Sequence, residues 1–253
     1  MNNRTAVVIG GATGIGWATA NALAADGCTV LIAGRDGERA RRQAAELGEG
    51  HRGAQVDVVD EASVQRLFDS VDRLDYAVNC AGFGLMGSVV DMPAEQFRDV
   101  VDVCLNGAFI VLKHAGRTVV DGGSLVSVTS INARQPATGM SAYCAAKAGV
   151  VMLTQVAALE LGPRGVRVNA VSPGLVPTAM TEAVTAVPTI ANDYLANTAL
   201  GRLGTPEDIA SAIRFLCSDQ SAWMTGEVLD LNGGAHLKRY PDMLAYMTGA
   251  ASL

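Results

Sequence analysis

Short apolar runs alternate along the chain with longer stretches of helical periodicity. Ala6–Ile9, Thr29–Ala33, Gly53–Val56, Tyr76–Asn79, Leu125–Thr129, Val166–Val171 and Val228–Leu231 read as strands, and helical patterns fill the gaps between them. Strands that alternate with helices connect by right-handed crossovers, which predicts a seven-stranded parallel sheet with helices on both faces, the doubly wound α/β class. Ligands then bind beyond the carboxyl ends of the strands. The clearest helix runs over Ser141–Leu161, where Ala145, Ala148, Val151, Met152 and Gln155 to Leu159 are in good helix-forming context and Gly162-Pro163 lies beyond its end. Between Val176 and Thr205 the pattern dissolves into Thr, Ala, Asn and Pro188, which predicts a mobile flap before Pro206-Glu207-Asp208 opens another helix. No repeat, low-complexity tract or linker divides the chain, so residues 1–253 are expected to form one domain with a flap over 176–205 and a tail over 235–253.

Composition narrows the function classes. Hydrophobic residues make up 49% of the chain but aromatics only 5%, so the core must be built from Ala, Val, Leu and Ile. A formal charge of -6 argues against a nucleic-acid or anionic-membrane partner, because both need a basic surface. Cys28, Cys80, Cys104, Cys144 and Cys217 are odd in number and never in Cys-x-x-Cys spacing, which fits reduced thiols in the cytoplasm. His51, His114 and His236 are equally dispersed, so no metal site is expected. The uncharged run from Thr5 to Ala25 has the look of a signal or membrane span, but Gly10, Gly11, Gly14 and Gly16 interrupt it after a few apolar residues. Strand, loop and helix describe it better, and the chain is expected to be soluble and uncleaved.

Gly10-Gly11-Ala12-Thr13-Gly14-Ile15-Gly16 follows the first strand and opens the first helix, a context in which glycines let a backbone approach a pyrophosphate at a helix N-terminus. Such a turn can also be purely structural. On the clearest helix, Tyr143-Cys144-Ala145-Ala146-Lys147 gives Tyr-x-x-x-Lys, and the four-residue spacing puts both side chains on one face. Further motifs follow in order: Asp57-Val58, Asn79-Cys80-Ala81-Gly82, Ser130, and Asn169-Ala170-Val171-Ser172-Pro173-Gly174, all at strand ends. Together they resemble the classical short-chain dehydrogenase/reductase family from about Thr5 to Gly234, and the resemblance implies a Rossmann-type fold and a nicotinamide-dependent oxidoreductase.

The resemblance also implies roles. Tyr143 becomes the general acid/base, and Ser130, chosen over Thr129 and Ser127 by the family's distance to the tyrosine, becomes the hydroxyl that holds the substrate oxygen. A tyrosine titrates near about 10, and a nearby ammonium favours its phenolate, so Lys147 is expected to lower the pKa of Tyr143 as well as to hold the nicotinamide ribose. Gly10, Thr13, Gly14, Ile15 and Gly16 would cradle the pyrophosphate. Asp57 and Val58 would flank the adenine, Asn79, Ala81 and Gly82 would line the ribose and phosphate side, and Pro173, Gly174, Val176 and Thr178 would lie towards the carboxamide. One departure stands out: the family's usual helix asparagine aligns with Cys104, which keeps the backbone carbonyl of its water relay but not the amide. Asn106 would replace it only with a shifted helix register.

The residue after the second strand reads the adenosine ribose: an acid bonds the 2′-hydroxyl of NAD(H), whereas an arginine nearby pairs with the 2′-phosphate of NADP(H). Here Gly34 is followed by Arg35, which favours NADP(H) and leaves NAD(H) possible; Asp36 opposes that charge and Arg39 adds to it. Phe83, Leu85, Met86, Gln135, Met140 and the flap would surround the substrate; they are mostly apolar, which suggests a small-molecule carbonyl/alcohol substrate, a medium-sized ketone or secondary alcohol without a committed anion site. The last strand resembles one that pairs across a dimer of dimers in the family, so a homotetramer is expected. The tail carries Tyr240, Met243, Leu244 and Tyr246 at roughly helical spacing and is expected to dock at an interface or over the site. Two other readings use the same features: a sensor that binds the nicotinamide cofactor without turnover, and a lyase or epimerase with the same Tyr/Lys pair, whose relatives are usually longer.

Overall fold

The first strand, β1 (Thr5–Ile9), is buried from Ala6 to Ile9, so both of its faces must be covered. Alternation along the strand sends Val7 and Ile9 into one apolar cluster and Ala6 and Val8 into the other. The computed structural model describes residues 4–248. In it β2 (Thr29–Gly34), β3 (Arg52–Gln55), β4 (Leu74–Asn79), β5 (Val119–Val128), β6 (Arg167–Pro173) and β7 (Val228–Leu231) join β1 in one sheet of order β3-β2-β1-β4-β5-β6-β7. Every pairing is parallel, as the alternating pattern predicts. One layer is formed by α1 (Gly14–Ala25), α2 (Gly37–Glu46) and α9 (Pro206–Cys217), whose Leu23, Ala40 and Ile213 join the Ala6/Val8 side. Its opposite is formed by α3 (Glu61–Asp69), α5 (Gly107–Thr118) and α6 (Ser141–Leu161), whose Phe68, Val111 and Ala158 join the Val7/Ile9 side. The strand order reverses between β1 and β4, and a crevice opens there.

Three differences from the sequence expectation have a clear physical reason. β5 begins at Val119 rather than Leu125, because Asp121-Gly122-Gly123 is absorbed as an irregularity opposite the register shift between Leu74 and Tyr76. β4 reaches back to Leu74 across Asp75, a charged residue that breaks the apolar run yet is fully buried. The segment expected to be patternless contains two helices, α7 (Glu182–Thr185) and α8 (Pro188–Ala196); Pro188 sits in the first turn of α8, where its missing N–H costs nothing.

The tail packs against that segment. It turns at Ala235–Leu237 and forms α10 (Met243–Thr248), and Met243 packs with Ile190 and Tyr194 of α8. Asp193 of α8 receives the Arg239 guanidinium and the Tyr246 hydroxyl, the latter at 3.0 Å. Tyr240 precedes the helix rather than belonging to it, and positions 249–253 of the tail lie outside the described residues. One helical segment among the described residues, Ser141–Arg164, is long and apolar enough to cross a membrane. Its Ala142, Ala146 and Val150 are instead buried, and the helix packs on β6 and on α4 (Ala94–Val101).

Asp75 ties the start of β4 to the start of the chain. It accepts the Thr5 N–H at 2.9 Å and the Arg73 Nε and Nη2 donors at 3.0 and 2.7 Å, with Arg4 at 3.5 Å. Burial pushes its carboxyl up, but the Arg73 bonds, the Thr5 N–H and the two guanidinium charges outweigh burial and hold it below its ordinary 3.8. Its contribution to stability is therefore present above that value and is lost as pH falls through the lower folded-state value. Asp75→Asn is expected to destabilise the fold by about 1.5–3 kcal/mol at neutral pH, the worth of hydrogen bonds to a charged group. Thermal midpoints of the two proteins should converge in acid; a gap that stays constant down to pH 3 would assign the loss to packing instead.

Candidate active site

The crevice at the carboxyl ends of β1, β4, β5 and β6 is a cleft of about 390 Å³. At its base the chain leaves β1 at Gly10, whose N–H donates to Ala33 O at 2.8 Å and whose φ is +72°. A Cβ on Gly16 would stand 2.1 Å from Gly10 O, so the helix can begin this close to the strand only without a side chain. Thr13 occupies the N-cap of α1 with an extended backbone and makes no side-chain capping bond, and the first turn carries no acid. The first N–H groups of α1 thus receive no capping bond from the Thr13 side chain, and at the positive end of the helix they are suited to an anion. Thr13, Gly14 and Ile15 line the cleft beside them.

Further along the cleft, Gly34, Arg35, Asp36, Arg39, Asp57 and Val58 gather at the ends of β2 and β3. Nothing lies within 4 Å of where a Gly34 Cβ would point. Asp36 caps α2 by accepting the Arg39 N–H at 2.9 Å; that bond leads the causes holding its carboxyl below its ordinary range, and Arg39 Nε lies 3.8 Å away. The acid is committed to the helix end, whereas among the described residues Arg35 pairs with no acid. Ala81 and Gly82 line the opposite wall, but Asn79 does not. This corrects the expectation for Asn79: its Oδ1 accepts the Ala81 N–H at 3.0 Å, so it shapes the turn that presents Ala81 and Gly82. Pro173, Gly174, Val176 and Thr178 close the far side, together with Ala179, Met180 and Thr181, which the sequence assigned only loosely to the flap.

Tyr143 and Lys147 project from one face of α6, as their spacing requires, and both are buried. Lys147 Nζ donates to Val128 O at 2.8 Å and stands 5.6 Å from the centre of the Tyr143 ring. Thr129 Oγ1 donates to Lys147 O at 2.9 Å, so the end of β5 is stapled to α6 and its hydroxyl is spoken for. Ser127 lies inside the sheet, whereas Ser130 lines the cleft with Tyr143, and its hydroxyl donates to Asn132 Oδ1 at 3.4 Å. Burial pushes the phenol well above its ordinary range and Cys104 adds to that, while Ser130 draws it down. Burial also pushes the Lys147 ammonium down. The expected lowering of Tyr143 by Lys147 does not emerge: of the groups acting on the phenol Ser130 alone draws it down, burial prevails, and at neutral pH the phenol keeps its proton. The arrangement offers a protonated phenol and a second hydroxyl to one substrate oxygen.

Cys104 sits in a π-helical turn, Asp102–Asn106, between α4 and α5. Its Sγ donates to Phe83 O at 3.2 Å and packs in the cluster around Tyr143. Asn106 is exposed and bonded to Asp102 at 2.7 Å, so it does not stand in for the missing amide. Of the expected substrate wall, Phe83 lines the cleft and Leu85 and Met140 pack beside Tyr143, whereas Met86 joins the α8 and tail cluster. Gln135 lies in a separate small cavity under the tail. Sequence reasoning missed Asn132, whose N–H donates to Ser130 Oγ at 3.2 Å and whose Oδ1 accepts the Tyr240 hydroxyl at 3.2 Å. Its place two residues beyond Ser130 was the available signal. Among the described residues no group of three or more His, Cys, Asp or Glu could hold a metal.

Comparison with known proteins agrees with this geometry. The family model described as Enoyl-(Acyl carrier protein) reductase matches residues 10–236. The chain is 34% identical to 3-oxoacyl-(acyl-carrier-protein) reductase FabG of Aquifex aeolicus, covering 92% of this chain and 98% of that one. It is 32% identical to (3R)-3-hydroxyacyl-CoA dehydrogenase of Canis lupus familiaris, over 94% and 98% of the two chains. A solved short-chain type dehydrogenase/reductase from Mycobacterium ulcerans superposes with a TM-score of 0.95 at 36% identity, over 99% and 96% of the chains.

Proposed function

The chain belongs to the classical short-chain dehydrogenase/reductase family and is an NAD(P)-dependent oxidoreductase of carbonyl and alcohol substrates, and on that premise we propose that it interconverts a ketone and a secondary alcohol with Tyr143 as the proton-transfer residue. The observation that carries this reading is the meeting of Ser130, Tyr143 and Lys147 in a cleft whose other end is a side-chain-free cradle at a helix N-terminus. When bound there, the nicotinamide nucleotide supplies the hydride. Gly10, Thr13, Gly14, Ile15 and Gly16 would hold its pyrophosphate, Asp57, Val58, Ala81 and Gly82 its adenosine half, and Pro173, Gly174, Val176 and Thr178 its nicotinamide end. Tyr143 gives its proton to the carbonyl oxygen in reduction and takes it back in oxidation, Ser130 holds that oxygen, and Lys147 holds the ribose beside it.

The same reading assigns NADP(H) as the preferred cofactor. Arg35 offers a planar charged fork, Gly34 brings no acid to repel a phosphate, and Asp36 is occupied in capping α2. Arg35→Ala is expected to raise KM for NADPH about tenfold to a hundredfold, the worth of a charge-assisted bond, while leaving NADH little changed. Equal loss with both nucleotides would mean that Arg35 does not read the 2′-phosphate. A homotetramer is supported by apolar side chains left outward on the single chain: Phe109, Met152 and Leu159 on α5 and α6, and the fully exposed Trp223 before β7. A cytoplasmic location accords with the free thiols of Cys80, Cys104, Cys144 and Cys217.

The test is nucleotide oxidation or reduction followed over a panel of ketones and alcohols, with NADP(H) and NAD(H) in parallel. Because relatives carry names for 3-oxoacyl and 3-hydroxyacyl chemistry, 3-oxoacyl thioesters lead the panel, followed by ring ketones and sugar-like alcohols. Turnover that depends on Tyr143 is the expected result. Tight nucleotide binding without turnover on any member would turn the reading towards a sensor.

A further inference from the structure

Behind Ser130 lies a line of hydroxyl and amide groups that ends in the C-terminal segment. Asn132 is buried, with 5% of its surface exposed. Its Nδ2 donates to Gln135 O at 3.2 Å, and because a carbonyl can only accept, the amide is oriented with Oδ1 towards two hydroxyls. These are Tyr240 at 3.2 Å and Ser130 at 3.4 Å. Tyr240 itself accepts the Tyr194 hydroxyl at 2.8 Å, its ring held edge-on to Tyr194 with centroids 5.6 Å apart. With its oxygen engaged, Tyr240 directs its own proton to Asn132.

We propose that Tyr240 is a positioning residue for the reaction: by occupying Asn132 Oδ1 it keeps the single proton of Ser130 available to Tyr143 and the substrate oxygen. The inference rests on the reading of Ser130 and Tyr143 given above. Ser130 has one proton, for which Asn132 Oδ1 competes with the groups in the cleft. An amide oxygen already receiving a phenol is the poorer competitor, which accords with the long 3.4 Å separation between Ser130 and Asn132. Without that donor Asn132 Oδ1 holds the serine proton more firmly, and Ser130 no longer draws the Tyr143 phenol down. The groups facing Tyr143 from its surroundings are Lys147 and Cys144 on α6, Cys104 on the π-helical turn, Ser130 after β5, and Tyr240. Of these only Tyr240 arrives from the tail, which Arg239 and Lys238 hold against α8 just before it.

The test compares Tyr240→Phe with wild type and with Tyr246→Phe, which removes another tail hydroxyl that points at Asp193 and not at the site. Tyr240→Phe is expected to lower kcat about tenfold with KM little changed, the size of one hydrogen bond, and to move the ascending limb of alcohol oxidation to higher pH. Tyr246→Phe should keep both near wild type. On an Asn132→Ala background the Tyr240 substitution should add little, because the two act through one contact. A wild-type kcat and pH profile in Tyr240→Phe, a change confined to KM, or full additivity with Asn132→Ala would overturn the proposal while leaving the reductase reading intact. Undiminished turnover in Tyr143→Phe would overturn both.

Discussion

Replacing Tyr143 by Phe is expected to lower kcat by about 10²- to 10⁴-fold, the range over which a positioned general acid contributes. The ring stays in its cluster with Val100, Cys104, Ala142 and Ala146, so the fold should be retained, and only the proton donor is lost. Nucleotide binding should change little, since the glycine cradle and the adenosine end lie elsewhere along the cleft. Ser130 remains and can still hold the substrate oxygen, but at its own high pKa it is a poor proton source. Burial dominates Tyr143 and keeps the phenol protonated, so the wild-type protein should reduce carbonyls readily at neutral pH and oxidise alcohols faster as pH rises and the phenolate becomes accessible. Both directions are measured by nucleotide absorbance. A mutant that keeps more than a tenth of wild-type turnover with unchanged pH dependence would remove Tyr143 from the chemistry.

Local spacing made much of this site legible. The four-residue step from Tyr143 to Lys147 fixes a shared helix face, and a glycine run between strand and helix implies a backbone that must approach something closely. Both features depend only on neighbours in the chain, and both stand in the cleft. Features set by distant partners were not legible. Tyr240 is 108 residues from the amide it donates to, and nothing in the tail's periodicity indicates where its hydroxyl goes. Asn79 was read as a cleft residue because its motif lies at a strand end, yet its side chain turns back onto Ala81. The direction of the Tyr143 shift was misjudged for the same reason: the nearby ammonium is visible in sequence, whereas the burial that governs the phenol is assembled from α4, the π-helical turn and α6.

Boundaries failed where polar residues are used inside regular elements. Asp75 and Asp121 interrupt apolar runs, and only the ion pairs around Asp75 and the bulge near Gly122 explain how the strands continue through them. Pro188 was read as part of a patternless flap and instead begins α8, since a proline is well suited to a first turn.

Gly16→Ala is expected to weaken nucleotide binding by about 10²-fold or more, the loss that follows when groups built for close approach are displaced by an ångström. The added methyl would lie 2.1 Å from Gly10 O, 2.7 Å from Gly10 C and 2.9 Å from the Gly11 Cα. All three are backbone atoms, so no rotamer change relieves the clash, and the loop and the start of α1 must move apart. That movement spoils the one feature that suits the cleft to a pyrophosphate, N–H groups of α1 presented without intervening side chains. Gly162→Ala is the matched comparison: a Cβ there meets nothing within 4 Å, and the residue lies beyond α6, away from the cleft. Titration of each protein with NADPH and NADH, beside its thermal midpoint, separates loss of the cradle from loss of the fold. A folded Gly16→Ala protein that still binds nucleotide as wild type does would mean that the tight turn serves only the packing of α1 against β1, and the anion site would have to be sought elsewhere in the cleft.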